Sequence, residues 1–322
     1  MILVAGHLCL DVFPALASGT EIQPGVLIEA GPVKFTTGGA VSNVGVSLHK
    51  LGASVRLVGK VGNDPFGKIV LDLLRAEDLT DHIQIDPTGD TSYTIVISPP
   101  GRDRTFLHCP GCNDSFVASD VPESAFIGAK HLHFGYPPLM AAMSANDGEE
   151  LESLFRRAKA HGLTTSLDMS LPDPDSKQSK VNWTSLLKRI LPFVDVFLPS
   201  EDELDMMLPG VQSDVEVLAF WCTRAGAKAV CLKRGAAGLY GLDATNSTYQ
   251  PCFKSHVVDT TGSGDATIAG FLYAYLQGKP FAQCLEAGCA VGAFCVEEIG
   301  ATTGIPAWPL VQERIEAGQS RK

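Results

Sequence analysis

At 322 residues, 45% of them hydrophobic and 19% charged, the chain is long enough for a large buried core and has a globular, not a disordered, composition. Its formal net charge of −11 argues against nucleic acid and against an anionic membrane surface, both of which are bound through basic residues. No apolar run approaches the roughly 20 residues of a membrane span, and nine scattered cysteines, an odd number, suit reduced core thiols in a cytoplasmic protein better than a disulfide framework.

In chain order, the first expected element is a strand over Ile2–Ala5. The opening Met1-Ile2-Leu3-Val4-Ala5-Gly6 has neither the basic start nor the cleavage site of a signal peptide. A helix over Ala40–Leu51, a strand over Val55–Val58 and a helix over Phe66–Ala76 are expected next. The middle of the chain alternates strands at His131–Phe134, Thr165–Asp168 and Val194–Leu198 with helices at Glu149–His161, Trp183–Ile190 and Val215–Ala225. In the helix ending at His161, Leu151, Leu154, Phe155 and Ala158 share one face, and Gly162 stops it. Strands at Ala229–Leu232 and Leu239–Leu242 and helices at Gly264–Gln277 and Phe281–Val296 complete the set, with a frayed end over Ala317–Lys322.

Such alternation predicts an α/β fold in three layers, αβα, around a mostly parallel central sheet. Ligands of such sheets lie at the carboxyl ends of the strands. Residues 11–37 and 88–110 break the alternation: they are rich in Gly, Pro and Thr, with short β-like runs at Thr91–Ser98 and Thr105–His108.

The stretch Asp259-Thr260-Thr261-Gly262-Ser263-Gly264-Asp265-Ala266 places glycines and a carboxylate directly before a helical run. Unpaired N–H groups at a helix start favour an anion. An acid at that position makes sense as a proton handler, and the helix terminus should keep Asp265 ionised at neutral pH. Taken alone, the same residues also suit an N-cap aspartate after a turn.

The stretch resembles the C-terminal signature of the ribokinase-like (PfkB) carbohydrate kinases, Asp-Thr-x-Gly-x-Gly-Asp, at every defined position. The N-terminal signature is resembled as well. Gly38-Gly39-Ala40-Val41-Ser42-Asn43 precedes a helical segment to Leu51-Gly52, and Gly59-Lys60-Val61-Gly62-Asn63-Asp64-Pro65-Phe66-Gly67 is similar to Gly-x-x-Gly-x-Asp-x-x-Gly. The resemblance covers nearly the whole chain. It implies one ribokinase-like kinase domain over 1–322, with strands of a small β-sheet lid inserted at about 11–37 and 88–110.

The resemblance implies ATP-dependent phosphorylation of a small carbohydrate, usually at a primary hydroxyl, with Mg²⁺. Asp265 is then the catalytic base, and Gly262, Ser263 and Gly264 supply N–H groups to charge developing on the γ-phosphate. Asp11 would bind sugar hydroxyls, although by residue type it also suits a turn. Gly38, Gly39 and Asn43 would approach the same substrate. Arg104, in Gly101-Arg102-Asp103-Arg104-Thr105, resembles a lid segment and would meet substrate or phosphate, or stand as a solvated arginine.

On the nucleotide side, Glu203 matches a glutamate that organises Mg²⁺ and phosphates through water, while Ser200 replaces the family's asparagine. Ser200 and Glu203 also suit a helix N-cap. Lys233, Gly235 and Gly238 match the nucleotide-side turn, with Lys233 touching ATP phosphates or lying at the surface. Asp259 and Thr261 match positions that bind a monovalent cation, here K⁺. Cys295, Glu298 and Gly300 would add carbonyls, and Gly304 stands where relatives often carry a serine ligand.

Two local patterns are read as structural. Gly62–Lys68 satisfies G-x₄-G-K but lacks the following hydroxyl, because Ile69 comes next, and it encloses a proline. It is read as a turn into a helix. Cys109 and Cys112, beside His108, have zinc-like spacing but no second pair, and Pro110-Gly111-Cys112-Asn113 is read as a loop beside the substrate. A nucleoside, inositol or phosphosugar acceptor, or a catalytically silent sugar- or nucleotide-binding regulator, are the alternatives on the same fold. The intact Asp265 and Gly262–Gly264 argue against the last. A homodimer through the lid would cover its edge strands.

Overall fold

The computed structural model describes residues 1–98 and 105–318. In chain order its strands are β1 (Ile2–Gly6), β2 (Cys9–Pro14), β3 (Val33–Gly38), β4 (Val55–Val58), β5 (Lys60–Gly62), β6 (Gln84–Asp86), β7 (Tyr93–Ile97), β8 (Thr105–Cys109), β9 (His131–Gly135), β10 (Thr164–Leu167), β11 (Val196–Phe197), β12 (Ala229–Lys233), β13 (Leu239–Leu242) and β14 (Ser247–Gln250). Eight of them form the main sheet in the order β14-β13-β12-β11-β10-β9-β1-β4. The six from β4 to β12 run parallel, and β13 and β14 join antiparallel at the other edge.

The apolar strand runs are explained by burial on both faces. Along β1, Leu3 and Ala5 enter one core while Ile2 and Val4 enter the other. Helices Glu149–Ala160, Trp183–Ile190 and Val215–Arg224 cover the first face, with Leu154, Leu186 and Leu218 fully buried. Helices Ala40–Lys50, Ser263–Leu276 and Phe281–Cys295 cover the second, through Val44, Phe271 and Leu285. Helix Ser263–Leu276 packs against both of its neighbours. Gly270 sets its approach to Phe281–Cys295, since a Cβ there would stand 2.6 Å from the Ala287 carbonyl oxygen.

The segments that break the alternation build a separate four-stranded sheet, ordered β3-β2-β7-β8. β2 pairs antiparallel with β3 and parallel with β7, and β7 pairs antiparallel with β8. Only His7 and Leu8 separate β1 from β2, so the lid joins the main sheet through two residues. Buried Asn113 fixes that link: Leu8 N–H donates to its Oδ1 (3.3 Å), and its Nδ2 donates to the Leu8 carbonyl (2.9 Å).

Several elements were not expected. β5 and β6 pair as a two-stranded sheet, β14 extends the main sheet and a helix forms at Trp308–Glu316, while the helix at Glu201–Met207 is the one that the N-cap reading of Ser200 and Glu203 allowed. β14 reads Ser-Thr-Tyr-Gln on an outer edge, where solvation removes the apolar signal. The Gly62–Lys68 stretch is a capped helix start: Asp64 Oδ1 accepts from Gly67 N–H (2.7 Å) and its Oδ2 from Thr91 N–H (2.7 Å). Among the described residues, no helix is long and apolar enough to cross a membrane.

Candidate active site

Helix Ser263–Leu276 starts after Gly262, which has φ +71° and whose Cβ, if present, would lie 2.4 Å from that of Ala301. Only glycine makes this turn without strain. Asp265 occupies the third helical position and is 3% exposed. Tyr136 Oη donates to Asp265 Oδ1 (2.7 Å) and Oδ2 (2.8 Å), and Asn43 Nδ2 donates to Oδ2 (2.9 Å). Tyr136 follows the carboxyl end of β9 at φ +66°, a left-handed position uncommon for a bulky side chain.

At the Asp265 carboxyl the effect of the helix terminus is opposed by burial. Burial raises its pKa above the usual carboxylate range. The bonds from Tyr136 and Asn43 and the charge of Lys233 pull it back, while Glu203 adds to the rise. Of the three residues expected to present N–H groups, Ser263 already donates its own to the Thr260 carbonyl (3.3 Å).

Residues 260–265 form the wall between two cavities. The larger, about 820 Å³, is lined by Asp11, Gly39, Asn43, Gly262 and Asp265 together with lid residues. The smaller, about 260 Å³, is lined by Gly235, Gly238, Phe253, Ser263 and Gly264 and is mostly apolar. Thr260 lines both. Gly238 (φ +88°) lets its turn close on β14, since a Cβ would stand 2.1 Å from the Gln250 carbonyl oxygen.

Lys233, at the end of β12, also lines the smaller cavity, but it is neither a surface lysine nor unpaired. Its Nζ donates to Asp168 Oδ1 at 2.6 Å. Burial works against the ammonium charge, but the carboxylates of Asp168, Glu203 and Asp265 more than offset it and hold the pKa above the ordinary lysine value. Ser200 and Glu203 form a reciprocal cap: Glu203 N–H donates to Ser200 Oγ (3.3 Å) and Ser200 N–H to Glu203 Oε2 (2.6 Å). The serine in place of asparagine is thus used to start helix Glu201–Met207, and it leaves Glu203 8% exposed near Lys233.

On the lid side, Asp11 projects from β2 against Gly38, where a Cβ would stand 2.3 Å from Asp11 Oδ2. Gly39 leaves room for His7, whose Nδ1 would lie 2.6 Å from an added Cβ. Burial pushes the Asp11 carboxyl up to about 6, bonds from Cys9 and Thr94 oppose that, and Asp265 adds to it. Asp259 closes its own loop: Oδ1 accepts from Thr261 N–H (3.0 Å) and Oγ1 (2.7 Å), and Oδ2 accepts from Gly300 N–H (2.9 Å). The Cys295 thiol donates to the Thr261 and Ala301 carbonyls, both at 3.4 Å. Arg104 lies outside the described residues.

The profile of the pfkB family carbohydrate kinases matches residues 1–308. The chain belongs to the pfkB family of carbohydrate kinases. An uncharacterized sugar kinase of Archaeoglobus fulgidus is 28% identical over 81% of this chain and 98% of its own length. A 5-dehydro-2-deoxygluconokinase of Geobacillus thermodenitrificans is 23% identical over 98% of this chain and 92% of its own. A solved structure of Arabidopsis thaliana ribokinase complexed with ribose and ATP superposes with a TM-score of 0.81 at 21% identity, covering 98% of this chain.

As a pfkB kinase the chain is a phosphotransferase, and its central sheet with a separate small lid sheet is the ribokinase-like fold. Sequence reasoning missed Tyr136, Asp168 and His7. Tyr136 and Asp168 directly follow β9 and β10, and the strand-end rule alone would have pointed to them.

Proposed function

We propose that this sugar kinase transfers the γ-phosphoryl group of ATP to a primary hydroxyl of a small carbohydrate, with Asp265 as general base. The observation that carries the reading is position. Asp265 faces the larger cavity while Ser263 and Gly264, two residues and one residue earlier, face the smaller. The acceptor is assigned to the first space, under the lid, and the nucleotide to the second.

In the step itself, Asp265 takes the hydroxyl proton and the hydroxyl oxygen bonds to the γ-phosphorus. The bond from that phosphorus to the β–γ bridging oxygen breaks, and ADP leaves with the electron pair. Tyr136 and Asn43 hold the carboxylate in one orientation through its two oxygens. Gly262 and Gly264 present backbone to the transferring group, and Asp11, Gly39 and Asn43 line the acceptor space. The lid limits water and with it wasteful hydrolysis.

Mg²⁺, when bound, neutralises phosphate charge. Glu203 and Asp168, whose Oδ2 is buried without a partner, would offer the hard oxygen donors that it takes. Asp259 and Thr261 are the pair that would meet K⁺. All nine cysteines are free, which supports a reducing, cytoplasmic setting. The outer lid strand β8, whose Leu107 is about half exposed, is read as the edge that pairs with a second copy, and sedimentation would test it.

The deciding assay is ADP release from MgATP across hexoses, pentoses, inositols, nucleosides and sugar phosphates, in K⁺ and in Na⁺ buffers. Turnover with one acceptor class is expected. Failure of every acceptor to release ADP overturns the reading.

A further inference from the structure

Two histidines stand in the larger cavity with no part in the chemistry above. His7, in the link between β1 and β2, is 2% exposed, yet neither ring nitrogen has a hydrogen-bond partner. It lines the cavity, as does His108 of the lid strand β8, and the two rings lie 5.2 Å apart. His108 Nδ1 is already paired with Thr94 Oγ1 (3.0 Å). A fully buried imidazole with both nitrogens unsatisfied is costly to keep, and a ligand offering both a donor and an acceptor removes that cost.

We propose that His7 and His108 read the hydroxyls of the acceptor, and that with the surrounding carboxylates they select an uncharged polyol over a sugar acid. This rests on the kinase reading of the cavity and narrows its acceptor.

The chemistry of the lining supports the choice. Burial holds His7 neutral, and His108 beside it adds to that effect. A neutral imidazole offers one N–H and one lone pair, and a sugar hydroxyl offers the matching pair. A carboxylate only accepts, so it leaves one His7 nitrogen unmatched. Four carboxylates also line the cavity, from Asp11, Asp114, Asp173 and Asp265. None of its described lining residues is a lysine or arginine. An anionic acceptor would meet like charges with no described cation to offset them, which is discrimination by repulsion. The relatives span both choices, since 5-dehydro-2-deoxygluconokinase is named for a sugar acid and ribokinase for a neutral sugar.

The test uses the full chain with ribose, fructose and myo-inositol against gluconate and 2-dehydro-3-deoxygluconate. Binding is read by calorimetry with a non-hydrolysable ATP analogue present, and turnover by ADP release. The expected result is that a neutral acceptor binds at least about tenfold tighter than either acid. His7→Ala and His108→Ala should each weaken that binding about tenfold, with partial recovery in His7→Gln. His108→Ala, on the open face of the lid, keeps the test valid if His7→Ala does not fold. Preference for an acid, unchanged neutral-sugar affinity in folded histidine variants, or no binding by either class overturns the proposal. Histidine-dependent binding of a neutral sugar without ADP release sustains it and overturns the kinase reading instead.

Discussion

Asn43 donates to Asp265 across 2.9 Å and so ties helix Ala40–Lys50 to helix Ser263–Leu276, which carries the base 222 positions later. Each family signature thus supplies one half of a single hydrogen bond. If Asp265 is the base, Asp265→Asn should lower kcat roughly 10²–10⁴-fold. Nucleotide and acceptor binding should persist, because the amide keeps the shape. Activity within a few-fold of the unsubstituted enzyme would remove Asp265 from the role.

Tyr136→Phe tests how the base is tuned. The tyrosine hydroxyl bonds to the charged form of Asp265 and lowers its pKa against the rise caused by burial. Its loss should raise that pKa further. The acid limb of the kcat profile should therefore move to higher pH, with activity recovering in alkaline buffer. A uniform loss at all pH values would argue for simple misplacement.

Gly262 and Gly264 should separate folding from chemistry. An alanine at Gly262 must adopt φ +71° and overlap Ala301, so Gly262→Ala should lower the melting temperature. At Gly264 the nearest atom to a new Cβ is Lys233 Cδ at 3.8 Å, an ordinary contact, and the backbone is helical. Gly264→Ala should melt like the parent yet lose kcat/KM for ATP, since its Cβ enters the nucleotide space. Parental ATP kinetics in Gly264→Ala would move the phosphates elsewhere.

Asp11 should show a trade between stability and binding. Its folded pKa of about 6 lies above the ordinary 3.8, so the folded state prefers the protonated form. The ionised carboxyl therefore weakens the fold above pH 6, and stability is regained as pH falls through 6 towards 4. Asp11→Asn should be more stable than the parent at pH 8, by at most about 3 kcal/mol. That gain should vanish near pH 4, and acceptor KM should rise. Paired melts at the two pH values check this, and an equal effect at both would refute the assignment.

The sheet and its covering helices were legible because burial repeats along them. Leu151, Leu154, Phe155 and Ala158 were assigned to one helix face from spacing, and all four are fully buried. Elements without that contrast were harder to read: β14 is a polar edge, and helix Glu201–Met207, too short to show a period, was legible only through its cap at Ser200 and Glu203. In the site, the residues inside contiguous motifs were found, but Tyr136 and Asp168 were not. They come to Asp265 and Lys233 through the sheet, across 129 and 65 positions, and no local pattern records that. The upward pull of burial on the Asp265 carboxyl was not legible for a related reason. A helix terminus can be read from neighbours in sequence, whereas the depth of burial depends on everything packed above it.

The placement of β1 has a consequence for how the molecule is made. Its partners are β4 on one side and β9 on the other, at residues 55–58 and 131–135. During synthesis the first strand can pair on one edge early, but its second edge stays open until the chain has emerged beyond Gly135. An apolar strand with an open edge is a template for pairing with other chains. Nascent fragments ending between β4 and β9 should accordingly be the most dependent on chaperones and the first to aggregate.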